Sequence, residues 1–356
     1  MEQYIEDYNL TKLTTPLLKW FHAHARSLPW RDEPTPYHVW VSEIMLQQTR
    51  VEAVKGYYDR FLKCLPDVKA LSECPEDELL KLWEGLGYYN RVRNLQAAAR
   101  QVMEDYNGII PSSPKELLQL KGIGSYTAGA ISSIAYQYPQ PAVDGNVFRV
   151  ITRVCADDSD ISKPAFRKRV EKALREVIPE DAPGDYNQAL MDLGAMVCVP
   201  NGRPHCEECP WELMCESRKA GTQLEYPNKP KKAKRKIEKK TVLIIRDGDH
   251  VLIQKRPKTG LLAGLYELPA MEGQPGRREI IEYVERLGFE PLHIKKVEDA
   301  KHIFSHIEWH MKGYVVSVAE STHLPKELLM VEFATIQREY AIPSAFSAYL
   351  KYIKTF

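Results

Sequence analysis

Near residue 240 the hydrophobic period of this chain changes, and a single small core cannot serve both patterns. Up to about residue 220 apolar residues recur at helical spacing. Leu17, Leu18 and Phe21 follow Thr15-Pro16, which reads as an N-cap and first helical position. Val39, Val41, Ile44, Leu46 and Val51 mark a second helix, and it carries Glu43. Ser113-Pro114-Lys115-Glu116 reads as a capping box that opens a short helix ending at Lys121, and a longer apolar helix is expected from Ala128 to Ala135. From Lys229 to Lys240 the chain then carries eight basic residues, one acid and one proline, without apolar periodicity, as a linker or a solvated face would. Beyond it, Thr241 to Ile245, the tight turn Asp247-Gly248-Asp249 and Val251 to Ile253 predict strand, turn and strand. A helix is expected around Glu279 to Leu287, with more strand at Tyr314 to Val318 and near Phe333. The predicted fold class is therefore multidomain, an all-α region over 1–220, a basic linker over 221–240 and an α/β domain over 241–356.

Charge neither supports nor excludes a polyanionic partner, because the net value is +1 and a nucleic-acid binder of this balance must concentrate its basic residues on one surface. No apolar run reaches the length of a membrane span, and the first residues lack the basic and apolar regions of a signal peptide, so a cytoplasmic place is expected. Four of the seven cysteines, Cys198, Cys206, Cys209 and Cys215, fall within eighteen residues with spacing C-x7-C-x2-C-x5-C. In a reducing compartment such crowding reads as metal or cluster ligation, and four thiolates suit zinc or an iron-sulfur cluster equally. The three scattered cysteines read as ordinary buried thiols.

Leu120 to Ala128 includes Gly122 and Gly124 between the two expected helices. Glycines two apart permit a sharp turn and leave amides bare at a helix start, a recipe for holding a phosphate, although a plain helix-helix turn has the same composition. Twenty residues past Gly124, Asp144 opens the next helix in Val143-Asp144-Gly145-Asn146-Val147. It is either a simple N-cap or a carboxylate at the mouth of a cleft.

Together the glycine hairpin and Asp144 resemble the helix-hairpin-helix plus aspartate arrangement of DNA glycosylases. Within that superfamily Trp40 to Val51, with Glu43, Gln48 and Arg50, resembles the adenine-removing MutY type, as do Leu28-Pro29-Trp30-Arg31 and Trp83 to Leu95. The resemblance implies a monofunctional enzyme of base excision repair that removes adenine from 8-oxoguanine:A and G:A mispairs in double-stranded DNA, acting as a monomer near the nucleoid. Strand-cutting relatives carry lysine at the position of Tyr126, which implies weak or absent lyase chemistry here. It further implies Glu43, its pKa raised by an apolar pocket that includes Trp30, as general acid at adenine N7 and Asp144, kept ionised by amides and Asn146, as stabiliser of the sugar cation. Tyr126 would orient the site, Arg26, Arg31 and Gln188 would edge the base, and Gln48 and Tyr88, assisted by Leu86, would wedge into the opened duplex.

The same resemblance implies a [4Fe-4S] cluster on the four cysteines, with one residue more in the first gap than the family pattern, inside Val199 to His205. The C-terminal part resembles a Nudix module. Gly264 to Pro269 and Arg278 to Gly288 echo its box, but Tyr283 stands where a metal-binding glutamate is needed, so no nucleotide hydrolysis is expected. His302, His306 and His310 read as alternating along one strand-like face, too far apart to share one ion. Phe304-Ser305-His306 resembles the family's segment that reads 8-oxoguanine. The rivals are an endonuclease III-like glycosylase/lyase, opposed by Tyr126 and Glu43, and a catalytically silent lesion-binding protein.

Overall fold

The computed structural model describes residues 5–230, 234–319, 324, 325 and 327–354. The chain forms two compact units. One comprises residues 1–73 and 90–231, and the other residues 74–89 and 232–356. The assignment of residues 74–89 departs from the sequence boundaries, which placed them in the helical region; the physical reason, given below, is a set of contacts with partners more than 170 residues away.

The helical unit buries its core between helices Thr11–His24, Gly145–Cys155, Pro164–Arg175 and Pro183–Asp192, through Leu13, Leu17, Phe21, Phe148, Val150, Val170, Leu174 and Leu190. The first helix does not start at Thr15-Pro16. It starts at Thr11 and carries Pro16 inside, because burying Leu13 outweighs the one backbone hydrogen bond that proline cannot make. The Ser113 side chain accepts no capping hydrogen bond, and the helix behind it is a single turn, Pro114–Leu117, continued to Leu120 by separate backbone turns. The longer helix begins at Ser125 rather than Ala128 and widens into a π-helical turn over Ile131–Ala135. Of the three scattered cysteines, Cys74 and Cys155 are buried as expected, whereas Cys64 is exposed at the end of helix Val51–Cys64.

In the second unit the described residues form a seven-stranded sheet: β1 (Lys236–Asp247), β2 (His250–Lys255), β3 (Tyr266–Glu267), β4 (Ala270–Glu272), β5 (Pro291–Ile303), β6 (Ile307–Val318) and β7 (Leu328–Glu332). The order is β3-β2-β1-β6-β5, with β4 added to β1 and β7 to β2; β1 and β6 run parallel and the other pairs antiparallel. Alternating side chains feed two cores, one on each face. Val242, Ile244, Trp309 and Met311 meet Phe346 and Tyr349 on one side, while Leu243, Ile245 and Val316 meet Ile280 and Val284 of helix Arg277–Arg286 on the other. Strand β1 begins at Lys236, inside the stretch read as linker, because its basic residues pair along β6 from Ile307 onward. Residues 231–233 of that stretch lie outside the described residues. The strand expected near Phe333 is β7, which ends at Glu332, and Phe333 opens helix Phe333–Glu339 directly after it.

Candidate active site

Glu43 lies on helix Pro36–Leu46, where the Thr35 hydroxyl accepts from the His38 amide and Pro36 takes the first position. That helix is buried nearly all round, from Tyr37 and Val39 to Met45, so Glu43, 5% exposed, is no solvated surface acid. The helix does not run on to Val51. The Arg91 guanidinium gathers the carbonyls of Ile44, Met45 and Gln47 at 2.9, 3.0 and 2.6 Å, and Gln48 then turns left-handed at φ 59° before a new helix starts at Val51. Arg91 thus satisfies the carbonyls that a helix end leaves bare.

Asp144 caps helix Gly145–Cys155, its Oδ1 accepting from the Val147 amide at 2.8 Å, and its Oδ2 accepts from Asn146 Nδ2 at 2.8 Å. The N-cap and cleft readings are therefore both satisfied by one carboxylate. Asn146 is fixed in turn by Arg149, whose Nη2 donates to Asn146 Oδ1 at 2.8 Å and to the Gly194 carbonyl at 2.7 Å, while its Nε donates to the Cys198 carbonyl at 2.8 Å. Gly194 is required there, since a Cβ would stand 2.8 Å from that of Asn146. Tyr126, one residue into its helix, donates its hydroxyl to Glu43 Oε2.

These three groups line one cavity of about 490 Å³, together with Trp30, Gln48, Asn146, Gln188, Arg26 and Arg31. Burial pushes the Glu43 carboxyl from 4.5 up to about 7; the Tyr126 hydrogen bond opposes that rise and the Asp144 charge adds to it. Burial also raises Asp144, against the pull of the Val147 amide and Asn146. The amides and Asn146 were expected to dominate at Asp144; desolvation outweighs them, so this carboxyl sits above its ordinary range. Burial and the two carboxylates push Tyr126 far up, keeping it a neutral donor.

Arg26 and Arg31 line the cavity, but their guanidinium groups are held by Asp192. Arg26 donates from Nε and Nη2 to Oδ1 at 2.9 and 2.6 Å, and Arg31 donates at 2.8 and 3.0 Å. The Asp192 side chain is fully buried, and although burial pushes its pKa up, hydrogen bonds and charge from Arg31 and Arg26 win and hold it below the usual range. Nothing in the sequence separates Asp192 from any helical acid, nor Arg149 from any helical base. Gly122 turns left-handed at φ 78°, where a Cβ would meet that of Asn94 at 2.6 Å, and it remains exposed with Gly124 at the hairpin.

Residues 41–179 match the model of the HhH-GPD superfamily of base excision DNA repair proteins, and residues 241–352 match that of the NUDIX domain. The adenine DNA glycosylase of Homo sapiens is 32% identical over 96% of this chain and 74% of its own length. That of Buchnera aphidicola subsp. Baizongia pistaciae is 35% identical over 82% of each. The chain belongs to the adenine DNA glycosylase family. It removes adenine in base excision repair. Among solved structures, a thermostable thymine-DNA glycosylase is 28% identical with a TM-score of 0.52, covering 59% of this chain and 96% of its own. A trapped endonuclease III–DNA covalent intermediate is 25% identical with a TM-score of 0.51, covering 60% and 99%.

In this glycosylase Cys198, Cys206, Cys209 and Cys215 all line one small cavity, with Arg153 and Arg218 beside them. Arg153 Nη1 donates to Cys198 Sγ at 3.4 Å, and Gln223 Nε2 lies 3.9 Å from Cys206 Sγ. Cationic and N–H groups aimed at sulfur are what a thiolate-bound group needs around it, so the residues fit such a group. Burial pushes the Cys209 thiol up to about 12 and raises Cys198 and Cys206. Between Cys198 and Cys206 the chain bends at Asn201-Gly202, with Gly202 left-handed at φ 77°. Among the described residues no three His, Cys, Asp or Glu side chains are grouped as the ligands of a single ion, and no helix is long and apolar enough to cross a membrane.

The glycosylase's His302, His306 and His310 do not alternate on one strand. Residues 304–306 form the tip between β5 and β6, where His302 pairs with Trp309 and Lys301 with His310. The expectation failed because the period-2 pattern continues through the turn. Phe304 is seated edge-on against Trp309, with ring centroids 4.8 Å apart, and leaves Ser305 and His306 exposed. In the Nudix-like segments Glu267 pairs with Arg256 and Gln254, Glu279 caps the Gly276 amide at 2.7 Å, and Glu282 pairs with Arg278 at 2.9 Å. Of the three expected wedge residues, Gln48 is exposed, Tyr88 is 48% exposed and Leu86 is buried.

Proposed function

We propose that this glycosylase excises adenine opposite 8-oxoguanine, and from G:A mispairs, with Glu43 as the proton donor to adenine N7 and Asp144 as the partner of the sugar cation. One observation carries the reading. A buried carboxyl whose pKa lies at about 7 shares a cavity with a second carboxylate and is held by a tyrosine hydroxyl.

Adenine inside a duplex is out of reach, so it is flipped into the cavity at a cost of a few kcal/mol of stacking, offset by phosphate contacts at the Gly122–Gly124 hairpin. Gln48 and Tyr88 fill the gap left behind, with Leu86 supporting the loop from beneath. The C1′–N9 bond breaks with its electron pair passing to the purine, and the Glu43 proton goes to N7, so neutral adenine leaves. A donor of this kind contributes on the order of 10² to 10⁴ in rate. Asp144, oriented by Val147 and Asn146, stabilises the oxocarbenium ion or bonds to C1′, as in glycosidases that retain configuration. Glu43, now ionised, takes one proton of the incoming water while the hydroxide joins C1′, and where Asp144 has bonded to C1′ that bond breaks with its electron pair returning to the carboxylate. Tyr126 supplies no amine, so the strand stays intact until alkali is added.

Cys198, Cys206, Cys209 and Cys215 are proposed as the residues that would hold a [4Fe-4S] cluster, which would close the loop rigidly. Ser305 and His306, presented by the β5–β6 tip, are proposed to hydrogen-bond the damaged base, with Phe304 as their anchor. The engaged glutamates and Tyr283 support a Nudix-like module without nucleotide hydrolysis, which a phosphate-release assay on nucleoside triphosphates checks.

The test is adenine release from an 8-oxoguanine:A duplex, read as strand breaks after hot alkali. Glu43→Gln and Asp144→Asn are each expected to abolish release while leaving duplex binding near the parent level. Release at the parent rate by either variant removes that residue from its role.

A further inference from the structure

Residues 74–89 are flanked on both sides by the helical unit, yet they fold with the C-terminal residues. Their helix, Glu76–Leu82, has seven residues, too few to hold itself in water. The loop behind it is built from left-handed residues, Gly85 at φ 97°, Gly87 at φ 70° and Tyr88 at φ 45°. A tyrosine rarely adopts that region unaided, so its surroundings must impose the turn. Within the segment the Trp83 indole donates to the Gly87 carbonyl at 3.0 Å.

Further holds come from the C-terminal residues. Lys81 Nζ donates to Glu84 Oε2 at 2.6 Å and to the Tyr340 carbonyl at 2.9 Å, and Glu84 Oε1 accepts from the Ile342 amide at 2.7 Å. One ion pair thus grips the backbone on both sides of Ala341, whose carbonyl is taken from the other side by the Tyr266 amide of β3 at 3.1 Å. A second clamp runs through Asp77, which accepts from Lys255 Nζ at 2.7 and 2.9 Å and from the Tyr266 hydroxyl at 3.5 Å. Tyr266 packs edge-on against Tyr340, with centroids 4.7 Å apart. Asp77 and Lys255 are each nearly half exposed, so this ion pair contributes little to stability. It ties the first turn of the helix that leads into the Tyr88 loop to β2 and β3.

We propose that Asp77, Lys81 and Glu84 are positioning residues for specificity: through them the C-terminal module holds the loop bearing Leu86 and Tyr88, and so couples recognition of the damaged base to opening of the duplex. The inference rests on the reading above, in which Tyr88 enters the duplex and residues 304–306 read the lesion.

The experiment uses the full chain in four forms besides the parent: Asp77→Lys, Glu84→Gln, the charge-swapped pair Asp77→Lys with Lys255→Asp, and Phe304, Ser305 and His306 all to alanine. Two quantities are read, amide hydrogen exchange over residues 83–90 and the ratio of single-turnover excision rates from 8-oxoguanine:A and G:A duplexes. Asp77→Lys and Glu84→Gln are expected to lower loop protection and the ratio by about tenfold each, and the swapped pair to restore both. Lost protection with an unmoved ratio overturns the coupling, and so does a swapped pair that restores neither. The triple alanine form keeps the two readings apart. A ratio it moves, but Asp77→Lys and Glu84→Gln do not, defeats the clamp alone. A ratio it leaves unmoved defeats the lesion-reading role of 304–306, and the clamp then stands only if Asp77→Lys lowers G:A excision by about tenfold and the swap restores it.

Discussion

Glu43→Gln should make the helical unit more stable as pH rises, even as it removes the proton donor. Glutamine keeps the shape and a carbonyl for the Tyr126 hydroxyl but carries no charge. In the parent the folded-state pKa is raised from 4.5 to about 7 by burial, so folding favours the protonated acid. That contribution is present below pH 4.5 and is lost as pH climbs through 7, where the folded protein must hold a buried carboxylate. At about 1.4 kcal/mol per pH unit between the two values, the loss is about 3 kcal/mol. Urea unfolding followed at pH 5 and pH 8.5 reads it directly. The glutamine form is expected to gain under about 1 kcal/mol at pH 5 and about 3 kcal/mol at pH 8.5, with an unchanged denaturant slope. Equal stability of the two proteins at pH 8.5, or a gain of the same size at both pH values, would falsify the claim that desolvation sets this acid.

Tyr126→Phe removes a hydrogen bond that favours the Glu43 carboxylate, so the alkaline limb of the excision rate should move up by about one pH unit; a limb that stays or falls contradicts the assignment. Asp192→Asn leaves two arginines beside a neutral amide in a buried setting, and a loss of about 3 kcal/mol in urea unfolding is expected, with loss below 1 kcal/mol counting against the ion-pair account. Cys209→Ser should yield protein with little iron and no visible absorbance, and one in which residues 198–215 are cut faster by protease. A variant that keeps the parent's colour and iron content would remove Cys209 from the ligand set.

Much of the site was legible because its signals are local. Asp144 precedes its helix by one residue, the glycines of the hairpin are two apart, and the cysteines lie within eighteen residues, so spacing alone brings each group together. Glu43 was found through the segment that surrounds it, since a lone acid on an apolar helix has no distinguishing pattern. The misses were at boundaries and at long range. Pro16 looked like a helix start because proline favours that position, but Leu13 had apolar surface to bury. The three histidines looked like one strand because alternation does not record where a chain reverses. Asp192 and Arg149 were invisible because their importance lies in partners from other helices.

The order of residues alone settled that this chain has a helical part and a sheet part, which chemistry-bearing side chains it owns, and which family they resemble, because period, caps and motif spacing act within a few residues. Only the three-dimensional arrangement decided that Glu43 is desolvated beside Asp144, that Arg26 and Arg31 spend their charge on Asp192, and that residues 74–89 fold with residues 232–356. Each of those is a matter of dielectric surroundings or of contact between distant segments. Neither is encoded at any one position, and both come into being when the core closes.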